Sequence, residues 1–116
     1  MTKIEHGTKF DQGKPRFELI APDAELWLAK ILTFGASKYA DNNWTGLKTK
    51  RIIGALKRHL NALERGEDFD PESKMPHHAH VLTNAMFLTH ILENYPAQDD
   101  RPFKDNFKEE KEDHQQ

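Results

Sequence analysis

Three stretches of this chain repeat apolar residues at the three- and four-residue spacing that places them on one face of an α-helix. In the first, Trp27, Leu28, Ile31 and Leu32 follow Pro22, Asp23 and Glu25. A proline in the first turn and acids at the positive end of the helix dipole predict a helix start there. This helix is expected to run to about residue 39, with Gly35 as a weak point, and to stop in residues 40–46, which are rich in turn formers. In the second stretch Ile52, Ile53, Leu56, Leu60 and Leu63 predict a helix over about residues 49–65, made basic by Lys48, Lys50, Arg51, Lys57, Arg58 and Arg65. In the third, Val81, Ala85, Leu88, Ile91 and Leu92 predict a helix that begins near Pro76 and ends before Pro96.

The remaining segments lack that period. Residues 1–20 read as an irregular arm, in which Gly13 permits a positive φ and Pro15 draws Lys14 towards an extended conformation. Residues 66–76 form a loop carrying Glu67, Asp68, Asp70 and Glu72. Residues 99–116 carry a net charge of −3 with Phe103 and Phe107 as their large apolar residues, so 97–116 is expected to be a mobile or weakly helical tail outside the core. The pattern predicts an all-α fold: one domain over residues 1–96, a small bundle of about three main helices with an extended N-terminal arm. Three helices with partly apolar faces rarely close a bundle alone, so completion by homo-oligomerisation is expected.

Composition narrows the setting. A chain of 116 residues with 36% hydrophobic and 31% charged residues suits a small helical domain, since each helix needs only one apolar stripe. The net charge of −2 argues against a general nucleic-acid-coating protein, so no direct nucleic-acid partner is expected. The absence of cysteine excludes disulfides and a thiolate zinc site. No apolar run approaches a membrane span, and residues 1–6 lack the apolar region of a signal peptide. The expected location is the cytoplasm, and no membrane partner is expected.

Several polar groups interrupt the apolar stripes. His59 lies seven residues after Ile52 and four before Leu63, at the edge of the second stripe. Glu67 would extend that face if the helix survived Gly66. His77, His80 and Asn84 fall three, then four, residues apart, on a side of the third helix that adjoins its apolar face, whereas His78 and His90 fall off this line onto the surface. A buried line of imidazole and amide must be offset by partners or by function. The acids of the 66–76 loop suit a hard cation such as Mg²⁺, or else a solvated turn capped by Asp70 or Ser73. Lys9, Lys14 and Arg16 on the arm suit a phosphate or carboxylate, or else a solvated loop. Lys38, Tyr39, Asn43 and Trp44 suit a base and sugar, or else a corner plugged by Trp44.

Taken in order, the segments Lys9-x-Asp11-x-Gly13-Lys14, Phe34-Gly35-Ala36-x-Lys38-Tyr39, Asn43-Trp44, Ala55-x-x-Arg58-His59-Leu60, Gly66-Glu67-x-x-Asp70-x-Glu72 and His77-x-Ala79-His80-x-x-x-Asn84-Ala85 resemble the N-terminal domain of phage-type dATP/dGTP diphosphohydrolases. The likeness spans about residues 8–92. It implies an all-α domain functionally related to MazG-type enzymes, which cleave a deoxynucleoside triphosphate to the monophosphate and pyrophosphate with a divalent metal, here in the cytoplasm of a phage host. MazG-type enzymes hold metal with E-x-x-E on one helix and E-x-x-D on the next. Glu64-x-x-Glu67 resembles the first half, but His and Asn stand where the second would be.

On that reading Glu67 and Asp70, with Glu64, His77 and His80, are the candidate metal ligands, and Glu67, Asp70, His59 and His80 the candidate catalytic groups. The expected ion is Mg²⁺ or Mn²⁺, with Co²⁺ or Zn²⁺ suited if histidine ligates. Lys14, Arg16, Lys38 and Arg58 would neutralise phosphates. Tyr39 or Trp44 would stack a base, with Asn43 or Asn84 on its edge or sugar. The alternative is a non-catalytic phage protein that sequesters a nucleotide or a nucleotide-derived signal.

Overall fold

A computed structural model describes residues 7–107. The expectation of no signal peptide in residues 1–6 and that of a mobile tail over 108–116 lie outside the described residues. Three helices make up the body: α1 (Pro22–Lys38), α2 (Thr49–Glu64) and α3 (His77–Asn94). No strand occurs among the described residues; an isolated antiparallel bridge joins Phe69 to Pro76. The central helix is α3, which packs on α2 along one side and on α1 along another, while α1 and α2 scarcely meet. The fold is all-α, as the apolar period predicts.

Each boundary has a local cause. Pro22 opens α1 and Asp23 and Glu25 follow in its first turn. Gly35 does not break α1, whose last turn instead closes with the Tyr39 N–H on the Gly35 carbonyl. Helix α2 ends in a Schellman turn: Gly66, at φ 95°, donates its N–H to Leu63 and the Glu67 N–H reaches back to Ala62. The helix therefore does not carry Glu67 along its apolar face; the chain reverses at Gly66 and redirects Glu67 towards α3.

The fully buried apolar set is small, comprising Ile31, Ile52, Ala79 and Ile91. Thr49 and Thr83 are buried beside it, each with its hydroxyl donating to a main-chain carbonyl. Many large apolar residues stay exposed, among them Leu26, Leu60 and Leu92 on the helices and Phe10, Phe17, Leu19 and Ile20 on the arm. The arm holds a turn in which the Lys14 N–H bonds the Asp11 carbonyl, with Gly13 at φ 83°.

Beyond α3 the described chain carries two short helical turns, Pro96–Gln98 and Lys104–Phe107. Through residue 101 it is a strap laid across the start of α2. The Gln98 amide donates to the carbonyls of Thr45 and Leu47, and Asp100 accepts the Lys50 N–H at 2.8 Å. An aspartate from fifty residues away thus caps α2, whose own N-cap residue, Lys48, supplies no side-chain bond. Composition does not register such polar capping.

Candidate functional site

The helix–loop–helix joint between α2 and α3 is built by hydrogen bonds. In the loop the Asp70 N–H bonds the Met75 carbonyl, the Lys74 N–H returns to the Asp70 carbonyl, and Lys74 adopts φ 65°. The Asp70 carboxylate accepts the Ser73 N–H at 2.8 Å, and the Ser73 hydroxyl accepts the Met75 N–H. The His77 N–H bonds the Asp68 carbonyl, fastening the loop to the first turn of α3. Asp70 is thus a capping residue and also one wall of the cluster above it.

Six side chains from three segments meet at this joint. The Nδ1 atoms of His59 on α2 and His77 on α3 face each other at 2.8 Å. His77 is buried, and its Nε2 lies 2.8 Å from Glu67 Oε1. Because an ionised carboxylate only accepts, Nε2 carries the proton and Nδ1 of His77 presents its lone pair. His80, one turn further along α3, stacks on His59 with ring centroids 4.4 Å apart and planes at 6°. Its Nε2 lies 2.7 Å from the Ser73 hydroxyl and 3.8 Å from Asp70. Ring nitrogens of His59 and His77 and a carboxylate oxygen of Asp70 all lie within 4.8 Å of one another, a spacing that one metal ion can span.

Electrostatics favour the neutral form of His59 and His80. Burial, then the neighbouring His80 and His77, push the His59 imidazole down to about 4, against the opposing pull of Asp70. Burial also lowers His80, again opposed by Asp70. Burial works upward on Asp70, yet the Ser73 N–H and hydroxyl, with His80 and His59 nearby, hold its carboxyl below the ordinary value. At neutral pH an anionic Asp70 therefore stands beside the neutral imidazoles of His59 and His80.

A second feature lies where α1 turns towards α2. A cavity of 640 Å³ is lined by Ile31, Phe34, Tyr39, Asn43, Trp44 and Phe87 among others. Trp44 stacks on Phe87 with centroids 4.6 Å apart and planes at 16°, and His90 meets its edge. Lys38 joins this cavity to the joint. Its ammonium lies 5.3 Å from the Phe34 ring and 5.5 Å from the Tyr39 ring, and it pairs with Glu72 of the acidic loop. Glu72, with Asp70 contributing, raises the Lys38 pKa.

The candidates named from sequence fall into groups. His59, Asp70 and His77 form the compact set, Glu67 stands behind His77, and His80 stands beside His59 with Ser73. Tyr39, Asn43 and Trp44 line the cavity, and Lys38 bridges. Arg58 is exposed next to His59, and Glu64 stays on the exposed last turn of α2 outside the compact set. Asn84 is buried with its amide donating to the His80 carbonyl of its own helix. Lys14 and Arg16 stay on the exposed arm, where Arg16 pairs with Glu18. His78 and His90 are exposed, as their helical positions predict. Ser73 and Phe87 were missed as site residues. Phe87 follows His80 by seven residues and so shares its face, a signal that was available, whereas the sequence marked Ser73 only as an alternative cap of the loop.

Fold and cluster together define a class: a small all-α domain that gathers imidazoles and carboxylates at a helix–loop–helix joint beside an apolar cavity. More narrowly, the chain belongs to the family described as dATP/dGTP diphosphohydrolase, N-terminal, which matches residues 4–101. A dATP/dGTP diphosphohydrolase of Salmonella phage PMBT28 is 43% identical over 95 residues, covering 82% of this chain and 33% of the relative. The chain thus spans about a third of the length of the curated relative it matches. No solved structure matches it.

Proposed function

We propose that this domain is a metal-dependent nucleotide pyrophosphohydrolase that converts a purine deoxynucleoside triphosphate, dATP or dGTP, to its monophosphate and pyrophosphate. The observation that carries the reading is the position of Lys38, a cation between an apolar, aromatic cavity and the acidic loop that bears Asp70. A base in the cavity, against Tyr39 and Trp44 with Asn43 at its edge, would direct its phosphates over Lys38 towards the joint, with Arg58 alongside. Phosphate oxygens would take over the Lys38 ammonium from Glu72. Lys14 and Arg16 would add charge only if the arm folded over the bound nucleotide.

A divalent ion held by Asp70 and the facing imidazoles would stabilise charge on phosphate oxygens and polarise water. His80, neutral and half-buried, is the group suited to accept the proton of the attacking water as the bond between the α- and β-phosphates breaks and pyrophosphate leaves. Asp70 and Ser73 orient that ring. The printed name of the phage relative supports the reaction and the purine preference, and a phage origin would place it in the host cytoplasm. We further propose a homo-oligomer, supported by the small buried set and the exposed Leu26, Leu60 and Leu92.

The test is incubation with each common dNTP and NTP in Mg²⁺ or Mn²⁺, with identification of the products. Pyrophosphate from dATP or dGTP is expected, with a loss of about 10²-fold or more in His80→Gln and Asp70→Asn. Full activity in both variants would sink the mechanism. One observation favours the rival, a nucleotide-sequestering protein: α3 carries Glu93 as its one acid, exposed near its far end, and offers no carboxylate pair to α2. A nucleotide that raises the melting temperature without any product would establish that rival.

A further inference from the structure

We propose that His59, Asp70 and His77 form a nitrogen-rich centre for a divalent transition metal, with Glu67 as the outer carboxylate that orients His77. This rests on reading the joint as the hydrolytic site, but it concerns metal binding, which is measurable without turnover.

The argument starts from the contact between two like atoms. Two Nδ1 atoms at 2.8 Å require a proton or a cation between them, since two lone pairs repel. Glu67 takes the Nε2–H of His77 at 2.8 Å, so in the metal-free protein the proton must come from His59. A metal replaces that proton once His59 shifts its own to Nε2. Metal–nitrogen bonds of about 2.0–2.1 Å in a tetrahedron set ligand atoms roughly 3.3 Å apart, so the rings need part by only about half an ångström. The third ligand stands close by, as a carboxylate oxygen of Asp70 lies within 4.8 Å of a ring nitrogen of each histidine.

Glu67 completes a recurrent arrangement, in which a ligating imidazole donates its far N–H to a carboxylate that fixes its tautomer and raises its basicity. His77 is held from both ends: Glu67 bonds its ring and the Asp68 carbonyl bonds its main-chain N–H. Two imidazoles and one carboxylate suit Zn²⁺, Co²⁺, Fe²⁺ or Mn²⁺ and do not suit Mg²⁺, which prefers oxygen ligands and retains its water. Three protein ligands leave a coordination position open, the pattern of a catalytic rather than a structural site. His59 and Asp70 are partly exposed, so that position is reachable from solvent.

Chelator-treated full-length protein titrated with Co²⁺ tests this. Visible ligand-field bands saturating at about one ion per chain are expected, undiminished by millimolar Mg²⁺. His59→Gln and Asp70→Ala, shown folded by circular dichroism, should lose the bands, and Glu67→Gln should weaken binding by about 10–100-fold. Absence of saturable Co²⁺ binding, or binding unchanged in folded His59→Gln, overturns the proposal. The two readings fail separately. Pyrophosphate release in Mg²⁺ by a protein that binds no Co²⁺ removes the centre and keeps the enzyme. Saturable Co²⁺ binding with no cleavage of any nucleotide keeps the centre and removes the enzyme.

Discussion

At the residue scale, the proposed nucleotide binding turns on Lys38, which pairs with Glu72 in the structure. An exposed ion pair contributes little to stability, on the order of 0–1 kcal/mol, so it can be given up when a phosphate arrives. Replacing Glu72 by Gln should free the ammonium, lower the apparent Kd or KM for a nucleotide several-fold and leave the melting temperature within about 1 °C, since surface changes shift stability little. Lys38→Ala should act in the opposite direction, raising KM. Equal KM values in both variants would show that no phosphate meets Lys38. Both residues fall in segments that carry the family resemblance, but nothing in the sequence pairs Lys38 with Glu72, thirty-four residues away and one acid among four in a loop. Only packing chose between those acids: Asp70 turned inward, Glu67 met His77, and Glu72 met Lys38.

At the scale of elements, the strap after α3 is held by polar contacts that composition does not register. Asp99 takes a two-pronged bond from Arg101, at 2.9 and 2.8 Å, with Lys104 nearby. The Arg101 guanidinium holds the Asp99 carboxyl far below the ordinary carboxylate value of 3.8. A folded-state pKa below the unfolded one means that the unfolded chain binds the proton more readily. The stabilisation is therefore complete above about pH 4 and is lost as pH falls below it. Thermal melts of Asp99→Asn should lie below the parent at pH 7 and converge on it as the buffer approaches pH 2. A constant gap across that range would show that the pair contributes nothing through charge. The helices themselves were legible because their period is local. The Schellman turn at Gly66 was half legible: the glycine was flagged, but whether it ended α2 depended on bonds to Ala62 and Leu63.

At the scale of the molecule, α3 is, among the described residues, the only helix that packs substantially on both others, and the buried apolar set around Ile31, Ile52, Ala79 and Ile91 is small. The Cα radius of gyration of 18.8 Å exceeds the ~13 Å of a compact chain of about 100 residues. A lone domain so built leaves apolar surface in water at roughly 25 cal/mol per Å², which is the physical ground for the proposed homo-oligomer. Light scattering on a sizing column at tens of micromolar should give at least twice the 13.5 kDa chain mass. A monomer at that concentration would remove the oligomer from the proposed function. No helix among the described residues is long and apolar enough to cross a membrane.

The sequence by itself determined the three helices, their approximate ends, the acidic loop and the inward line of His77, His80 and Asn84. Each of these follows from spacing along a few turns of chain. Only the tertiary structure decided that His59 faces His77, that Glu67 stands behind His77, and that Trp44 stacks on Phe87. These are meetings between residues ten to forty-three positions apart, set by how α2 and α1 pack on α3 and by the reversal at Gly66, and no local period encodes them.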